Sequence, residues 1–68
     1  MEAQVMSPSR RVRIERIRRG WTQAQLAHRA RLLRRTVTEF ELDRRKPTDT
    51  TVHKLSMALD LDPEDLLR

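Results

Sequence analysis

Arginine is the residue type in this sequence whose chemistry and abundance point to a binding function. The chain has 15 Lys+Arg residues, of which only Lys46 and Lys54 are lysine, against 10 Asp+Glu, and a formal net charge of +5. The guanidinium group is a planar fork of donors that matches phosphate oxygens and the edge of guanine. A solvated surface would also carry such charge, so the positions of the arginines must decide between these interpretations.

The charge is unevenly distributed along the 68 residues. Residues 1–19 carry a net charge of +4, residues 20–47 carry another +4, and residues 48–68 carry −3. The first two thirds of the chain therefore favour a polyanionic partner, and the acidic end has a different role.

Composition argues against several classes of protein. There is no cysteine, which excludes disulfides and thiolate metal sites. No apolar run exceeds three residues, so we expect no membrane span or signal peptide, and a cytoplasmic protein. His28 and His53 are far apart in sequence, and one glycine cannot form a phosphate-binding loop. We therefore expect no enzyme, no metal site and no cofactor.

Capping residues and apolar spacing predict the elements that must position the arginines. Ser7 before Pro8 starts a first helix that runs to Arg19, with Gly20 at its end. Residues 1–7 are expected to be a flexible leader, and residues 8–68 a single domain. Thr22 to Gln25 has the form of a capping box and starts a second helix with an apolar stripe.

A third helix follows after a turn of only three or four residues. It begins near Leu33 and buries Val37 and Phe40, and two helices joined so tightly form a helix-turn-helix. Thr48 caps a fourth helix, and Asp62 before Pro63 starts a short fifth one. The sequence predicts an all-α fold, a compact bundle of four to five helices that contains the helix-turn-helix.

The stretch from Arg10 to Leu67 resembles the helix-turn-helix domain of the Cro/phage-repressor (xenobiotic-response-element) family. The resemblance implies a lambda-repressor-like bundle and a small dimeric transcriptional regulator that binds inverted repeats in double-stranded DNA. The matching residues are Arg16, Gly20, Thr22, Gln23, Leu26, Ala27, Thr36, Val37, Phe40, Glu41, Pro47, Leu55, Ala58, Leu59 and Leu61.

Residues of the third helix are expected to read bases, because this helix enters the major groove in DNA-binding helix-turn-helix proteins. Arg34 and Arg35 lie off the buried face and suit the guanine edge. Thr38 can contact a thymine methyl group or a phosphate. Glu39 either accepts from cytosine N4 or orients an arginine. A solvated charge or hydroxyl is the alternative at each position.

Other residues are expected to contact DNA phosphates and fix the register of the protein. The resemblance implies that Gln23 binds a phosphate and also braces the recognition helix, and Gln23 is otherwise an ordinary first-turn residue. The remaining expected phosphate contacts are Thr22, Arg11, Arg44, Arg45 and Lys46.

The resemblance also implies structural roles. Arg16 and Glu41 are expected to form a semi-buried ion pair between the first and third helices. The C-terminal residues Met57, Leu61, Leu66 and Leu67 are expected either to form a homodimer interface or to close the monomer core. The expected core residues are Ile17, Trp21, Leu26, Val37, Phe40, Leu55 and Leu59.

Four positions depart from the pattern of the family. Arg31, Asp43 and Asp60 stand where glycine is common after a helix, and Leu33 replaces the serine or threonine that caps the recognition helix. An exposed Leu32–Leu33 pair would suit a protein contact. The alternative function is therefore a protein-interaction module of repressor-like fold, of the antitoxin or anti-activator type. No small-molecule ligand is evident from the sequence.

Overall fold

The computed structural model describes residues 6–67, and this part of the chain folds into four α-helices and a short 3₁₀ helix. Residues 1–5 of the expected leader and Arg68 of the expected domain lie outside the described residues. There is no strand between residues 6 and 67, and the predicted all-α class is confirmed. The helices are α1 (Pro8–Arg18), α2 (Gln23–Ala30), α3 (Arg34–Glu41), α4 (Asp49–Leu59) and the 3₁₀ helix (Pro63–Leu66).

Side chains cap the starts of the helices, with one exception. The Thr22 hydroxyl accepts from the backbone N–H of Gln25 at 3.0 Å, and the Gln25 side chain accepts from the backbone N–H of Thr22 at 2.8 Å. Ser7, Thr48 and Asp62 cap the other helices in the same general way. Leu33 gives α3 no side-chain cap, as its type predicts. The start of α3 therefore depends on the packing of its buried face.

The four α-helices end in the same backbone motif, in which a residue in the left-handed conformation reverses the chain. At each end the backbone N–H of the residue after the left-handed one donates to the carbonyl oxygen five positions earlier. Examples are Leu32 N to Ala27 O at 2.8 Å and Arg44 N to Glu39 O at 2.9 Å. The left-handed residues are Gly20 (φ 72°), Arg31 (φ 58°), Asp43 (φ 56°) and Asp60 (φ 56°).

Three of these left-handed positions therefore carry a side chain where glycine is favoured. They are the same three positions at which the sequence has another residue where the family commonly has glycine. The turn between α2 and α3 forms around Arg31 all the same, because the two bonds that close the motif involve only backbone atoms.

The core lies between the helices and is entirely aliphatic apart from one phenylalanine. Partly buried Trp21, Leu32 and Leu61 pack against it, each directly after a left-handed residue. The buried hydrophobic residues are Val12, Leu26, Ala27, Ala30, Val37, Phe40, Val52, Leu55, Leu59 and Leu66.

The prediction that Ile17 belongs to the core is wrong. Its exposed fraction is 55%, whereas Val12 on the same helix is fully buried. Five residues of α-helix place Ile17 about 140° around the axis from Val12. The inward face of α1 is instead shared by Val12, Ser9 and the charged Arg16, so a polar residue takes the place that an apolar one was expected to fill.

Candidate nucleic-acid interface

Helix α3 presents its N-terminal arginines to solvent. Val37 and Phe40 are buried against α1 and α2, and Arg34 and Arg35 lie on the exposed surface. The Arg35 side chain is 81% exposed. The arrangement exposes both guanidinium groups at the start of α3 on the surface of the molecule.

Gln23 links the start of α2 to the middle of α3. The Thr38 hydroxyl donates to Gln23 Oε1 at 2.8 Å, and Gln23 Nε2 donates to Glu41 Oε1 at 3.1 Å. The side chain of Gln23 therefore braces α3 in the way the resemblance implied. Since the Thr38 hydroxyl donates its hydrogen within the protein, a base contact from this residue would use its methyl group or the hydroxyl as an acceptor.

Arg16 and Glu41 form the expected ion pair between α1 and α3. Arg16 Nε donates to Glu41 Oε2 at 2.7 Å and Arg16 Nη2 donates to Oε1 at 3.0 Å, while Nη1 donates to the carbonyl of Trp21 at 2.8 Å. Only 3% of the Glu41 side chain is exposed. The hydrogen bonds to Glu41 raise the pKa of Arg16. It holds α3 against α1 and does not face solvent.

Glu39 contacts two of the predicted DNA-binding arginines. Arg35 Nε lies 3.3 Å from Glu39 Oε2, and Arg45 Nε lies 3.1 Å from Oε1. The Glu39 side chain is only 21% exposed. Of the two roles that the sequence left open for Glu39, contact with arginine is the one seen in this structure.

The connector after α3 carries the other expected phosphate contacts. Arg44, Arg45 and Lys46 are all exposed, and the backbone N–H of Arg44 closes the motif that ends α3. An arginine follows this left-handed residue, whereas the other three α-helices have Trp21, Leu32 and Leu61 at the same place. Among the four α-helices, α3 is therefore the one after which the residue following the left-handed position exposes a cation to solvent. After the other three, that residue packs an apolar side chain against the core.

Arg11 is not part of the same cluster. Its Nε lies 3.7 Å from Glu15 Oε2 on α1, and Glu15 also pairs with Arg18 and Arg19. The hydrogen bond from Arg19 and the charges of its other arginine neighbours lower the pKa of Glu15. Within residues 6–67, no hydrogen bond or ion pair joins Arg11 to α3, whereas Gln23 and Arg45 each contact a residue of that helix.

Three contacts that position the helices were not predicted from the sequence. The Ser9 hydroxyl donates to Asp43 Oδ2 at 2.9 Å, which ties α1 to the exit of α3. Arg19 Nη2 donates to the last carbonyl of α4, that of Leu59, at 2.6 Å. The guanidinium of Arg29 lies 4.4 Å from the centroid of the Trp21 ring. Only the last had a sequence signal, an arginine eight residues from the single tryptophan.

The residues expected at a dimer interface differ in exposure. Met57 and Leu67 are 71% and 59% exposed, Leu61 is half-buried, and Leu66 is 1% exposed. Leu66 therefore closes the core of its own chain and offers no surface to a second copy. In the described part of the chain, no group of three potential metal ligands occurs, and no helix is long and apolar enough to span a membrane.

Comparison with known proteins identifies the family. A family model described as "Helix-turn-helix" (HTH_3) matches residues 12–66, and the chain belongs to this family of Cro/phage-repressor helix-turn-helix proteins. No curated protein matches. The sequence resemblance is thus confirmed.

The solved structures that are similar to this chain include those of two regulatory proteins. The restriction-modification controller protein C.AhdI from Aeromonas hydrophila is 32% identical, with a TM-score of 0.81 over 88% of this chain and 91% of that one. A hypothetical transcription factor, NHTF, from Neisseria is 24% identical, with a TM-score of 0.81 over 100% of this chain and 86% of that one. The second likeness supports the fold alone.

Proposed function

We propose that this protein is a sequence-specific regulator of transcription that binds double-stranded DNA, with residues 8–68 as the DNA-binding domain. The observation that carries the proposal is the exposure of Arg34 and Arg35 at the start of α3, the second helix of the helix-turn-helix. In such proteins the N-terminal residues of this helix meet base edges in the major groove. Family membership and the controller protein C.AhdI as a relative support the same conclusion.

The residues around α3 fall into two groups, one for contacts with base edges and one for contacts with phosphates. Arg34 and Arg35 are the residues for guanine edges, and Thr38 adds a methyl group beside them. Thr22, Gln23 and the connector cations from Arg44 to Lys46 supply phosphate contacts that set the register. The two hydrogen bonds between Gln23 and residues of α3 hold these two sets of groups in a fixed relation.

A homodimer on an inverted repeat is the assembly we propose. Two copies of α3 would enter successive major grooves on one side of the duplex, with half-sites about 34–36 Å apart. Exposed Met57 and Leu67, with half-buried Leu61 between them in sequence, are the apolar groups that the acidic last third of the chain offers for such an interface. Leu67 lines the same pocket as Arg45 and Lys46 of the connector, whereas Met57 lies on α4.

Selection of bound sequences from a random duplex pool tests the function. Arg34→Ala should relax the preference at one position of the selected site, at a cost of about 1–3 kcal/mol for that base contact. Lys46→Ala should weaken all duplexes alike. Arg18→Ala, which removes an equal charge from an exposed side chain of α1, serves as the control. Absence of duplex binding at low salt would contradict the proposal.

The second candidate is a protein-interaction module of the antitoxin or anti-activator type. It is favoured by Leu33, which is 74% exposed at the start of α3, where a capping serine or threonine would otherwise stand. If Leu33→Ser leaves duplex binding unchanged and abolishes binding to a co-purified regulator or toxin, this second function is supported. If wild-type protein binds a selected duplex specifically and the Leu33→Ser variant does not, Leu33 belongs to the DNA interface.

A further inference from the structure

The cations that face the proposed DNA surface are not equivalent, because one carboxylate holds two of them. Glu39 contacts Arg35 through Oε2 at 3.3 Å and Arg45 through Oε1 at 3.1 Å. Oε1 is buried and accepts no hydrogen bond in the described residues, so Arg45 is held by charge and not by an aligned hydrogen bond. Within residues 6–67, Arg34, Arg44 and Lys46 make no ion pair.

We infer that Glu39 is a specificity-determining residue that withholds Arg35 and Arg45 from DNA of unrelated sequence. The inference rests on the proposed function and assigns a mechanism of discrimination to the same surface. Glu39 belongs to the recognition helix, so its negative charge also repels phosphates that approach α3. Any duplex must therefore offer these arginines something better than the carboxylate before they contribute to binding.

A phosphate and a guanine edge differ in how well they replace that carboxylate. Exchange of an exposed ion pair for a contact with one phosphate gains little, because both are single charge contacts in water. The O6/N7 edge of guanine accepts two hydrogen bonds from Arg35, and the N4 amino group of the paired cytosine donates to the Glu39 carboxylate that Arg35 leaves. A G·C pair in the major groove thus satisfies both side chains at once. We expect such a pair where Arg35 meets the half-site.

Binding of an unrelated mixed-sequence duplex to Glu39→Gln, measured by fluorescence anisotropy over a range of salt concentrations, tests the inference. The glutamine keeps the size of the side chain and removes its charge. Non-specific affinity at 0.1 M salt should rise by about fivefold, and the slope of log K against log salt should steepen by about two, as for one additional phosphate contact from each of the two released arginines. The ratio of affinities for a selected site and an unrelated duplex should fall.

Glu64→Gln is the matched control, because it removes the same charge from an exposed residue of the 3₁₀ helix. Long-range charge alone would raise the affinity of both variants equally. A rise confined to Glu39→Gln supports the inference. Equal rises, or weaker binding of all duplexes by Glu39→Gln, would overturn it.

Arg45→Ala gives a second readout that does not depend on net charge alone. In the wild-type background Arg45 is held by Glu39, so its removal should weaken non-specific binding by less than the same change does in the Glu39→Gln background. In the Glu39→Gln background Arg45 is released together with Arg35, and its removal should reverse about half of the gain. Additive effects would contradict the role of Glu39. A wild-type protein that binds no duplex would overturn the proposed function, whereas one that binds duplexes with no difference between Glu39→Gln and Glu64→Gln overturns only the role of Glu39.

Discussion

At the scale of single residues, Arg16 and Glu41 illustrate a charge pair that serves the architecture. Arg16 makes three hydrogen bonds, two to Glu41 and one to a backbone carbonyl, so its donors are well used. Glu41 also accepts from Gln23, the residue that fixes α2 to α3. Loss of one partner therefore leaves a nearly buried carboxylate or guanidinium and disturbs the placement of the recognition helix.

We expect Arg16→Met to lower the free energy of unfolding by about 3 kcal/mol, because the Glu41 carboxylate is then left largely without compensation. Urea unfolding followed by circular dichroism measures this loss. Arg18→Met, at a side chain that is 71% exposed, is the control and should change stability by less than about 0.5 kcal/mol. Addition of Glu41→Leu to Arg16→Met should restore part of the loss. Equal effects of the two single variants would contradict the structural role.

The sequence predicted these residue types and much of their placement. The Arg16–Glu41 pair and the bracing by Gln23 came from the family resemblance, since nothing local links positions 25 residues apart. The sequence did not predict which arginines near α3 pair with Glu39, because that pairing depends on where the connector places Arg45 relative to Glu39. Whether Glu39 reads cytosine or orients an arginine was left open for the same reason.

At the scale of helices, the repeated left-handed ends show how the turns form with one glycine in the chain. Backbone hydrogen bonds of the same pattern close α1, α2, α3 and α4, and only α1 has glycine at the critical residue. An L-residue in this conformation carries strain of about 1–2 kcal/mol, less for aspartate than for most. After α2 and α4 the turns are therefore held by packing of the following residues, Leu32 and Leu61, against the core, whereas the exposed Arg44 after α3 does not pack there.

Arg31→Gly and Asp60→Gly should each raise stability by about 1 kcal/mol, because they relieve backbone strain without loss of a side-chain hydrogen bond. For a domain of this size that corresponds to about 4–8 °C in Tm, measurable by thermal unfolding. Asp43→Gly is the informative comparison. It should gain less, since it also removes the acceptor for the Ser9 hydroxyl. A larger gain at Asp43 than at Asp60 would contradict this account.

Capping and periodicity made the helices themselves predictable. Ser7, Thr22, Thr48 and Asp62 all cap where the sequence indicated, because a cap needs only a side chain and backbone groups two or three residues away. The short fifth helix, whose type the sequence did not predict, is a 3₁₀ helix of four residues, the length at which 3₁₀ turns are common.

At the scale of the whole molecule, small size makes a second copy energetically valuable. A domain of about 60 residues buries only about 60% of the surface of its unfolded chain. Met57 and Leu67 leave further apolar surface exposed in the acidic third. Association through this region would bury that apolar surface.

Met57→Lys should therefore shift the protein from dimer to monomer in sedimentation equilibrium, because a lysine at the centre of an apolar contact is not compensated. Operator affinity should fall with it, since one half-site then binds alone. Ile17→Lys places the same charge on an exposed apolar residue of α1 and should change neither measurement. A wild-type protein that sediments as a monomer at micromolar concentration, or a dimer insensitive to Met57→Lys, would contradict the proposed interface.

The sequence by itself determined the helices, their caps, the helix-turn-helix and the basic character of its surroundings. These features depend on residues that are close together in sequence and on the 3.6-residue spacing of apolar residues, and both can be recognised in the sequence itself. Tertiary structure alone decided that Ile17 faces solvent, that Leu66 closes the core, and that one carboxylate holds Arg35 and Arg45. The physical reason is that burial and pairing depend on how the helices rotate and cross, which local spacing does not specify.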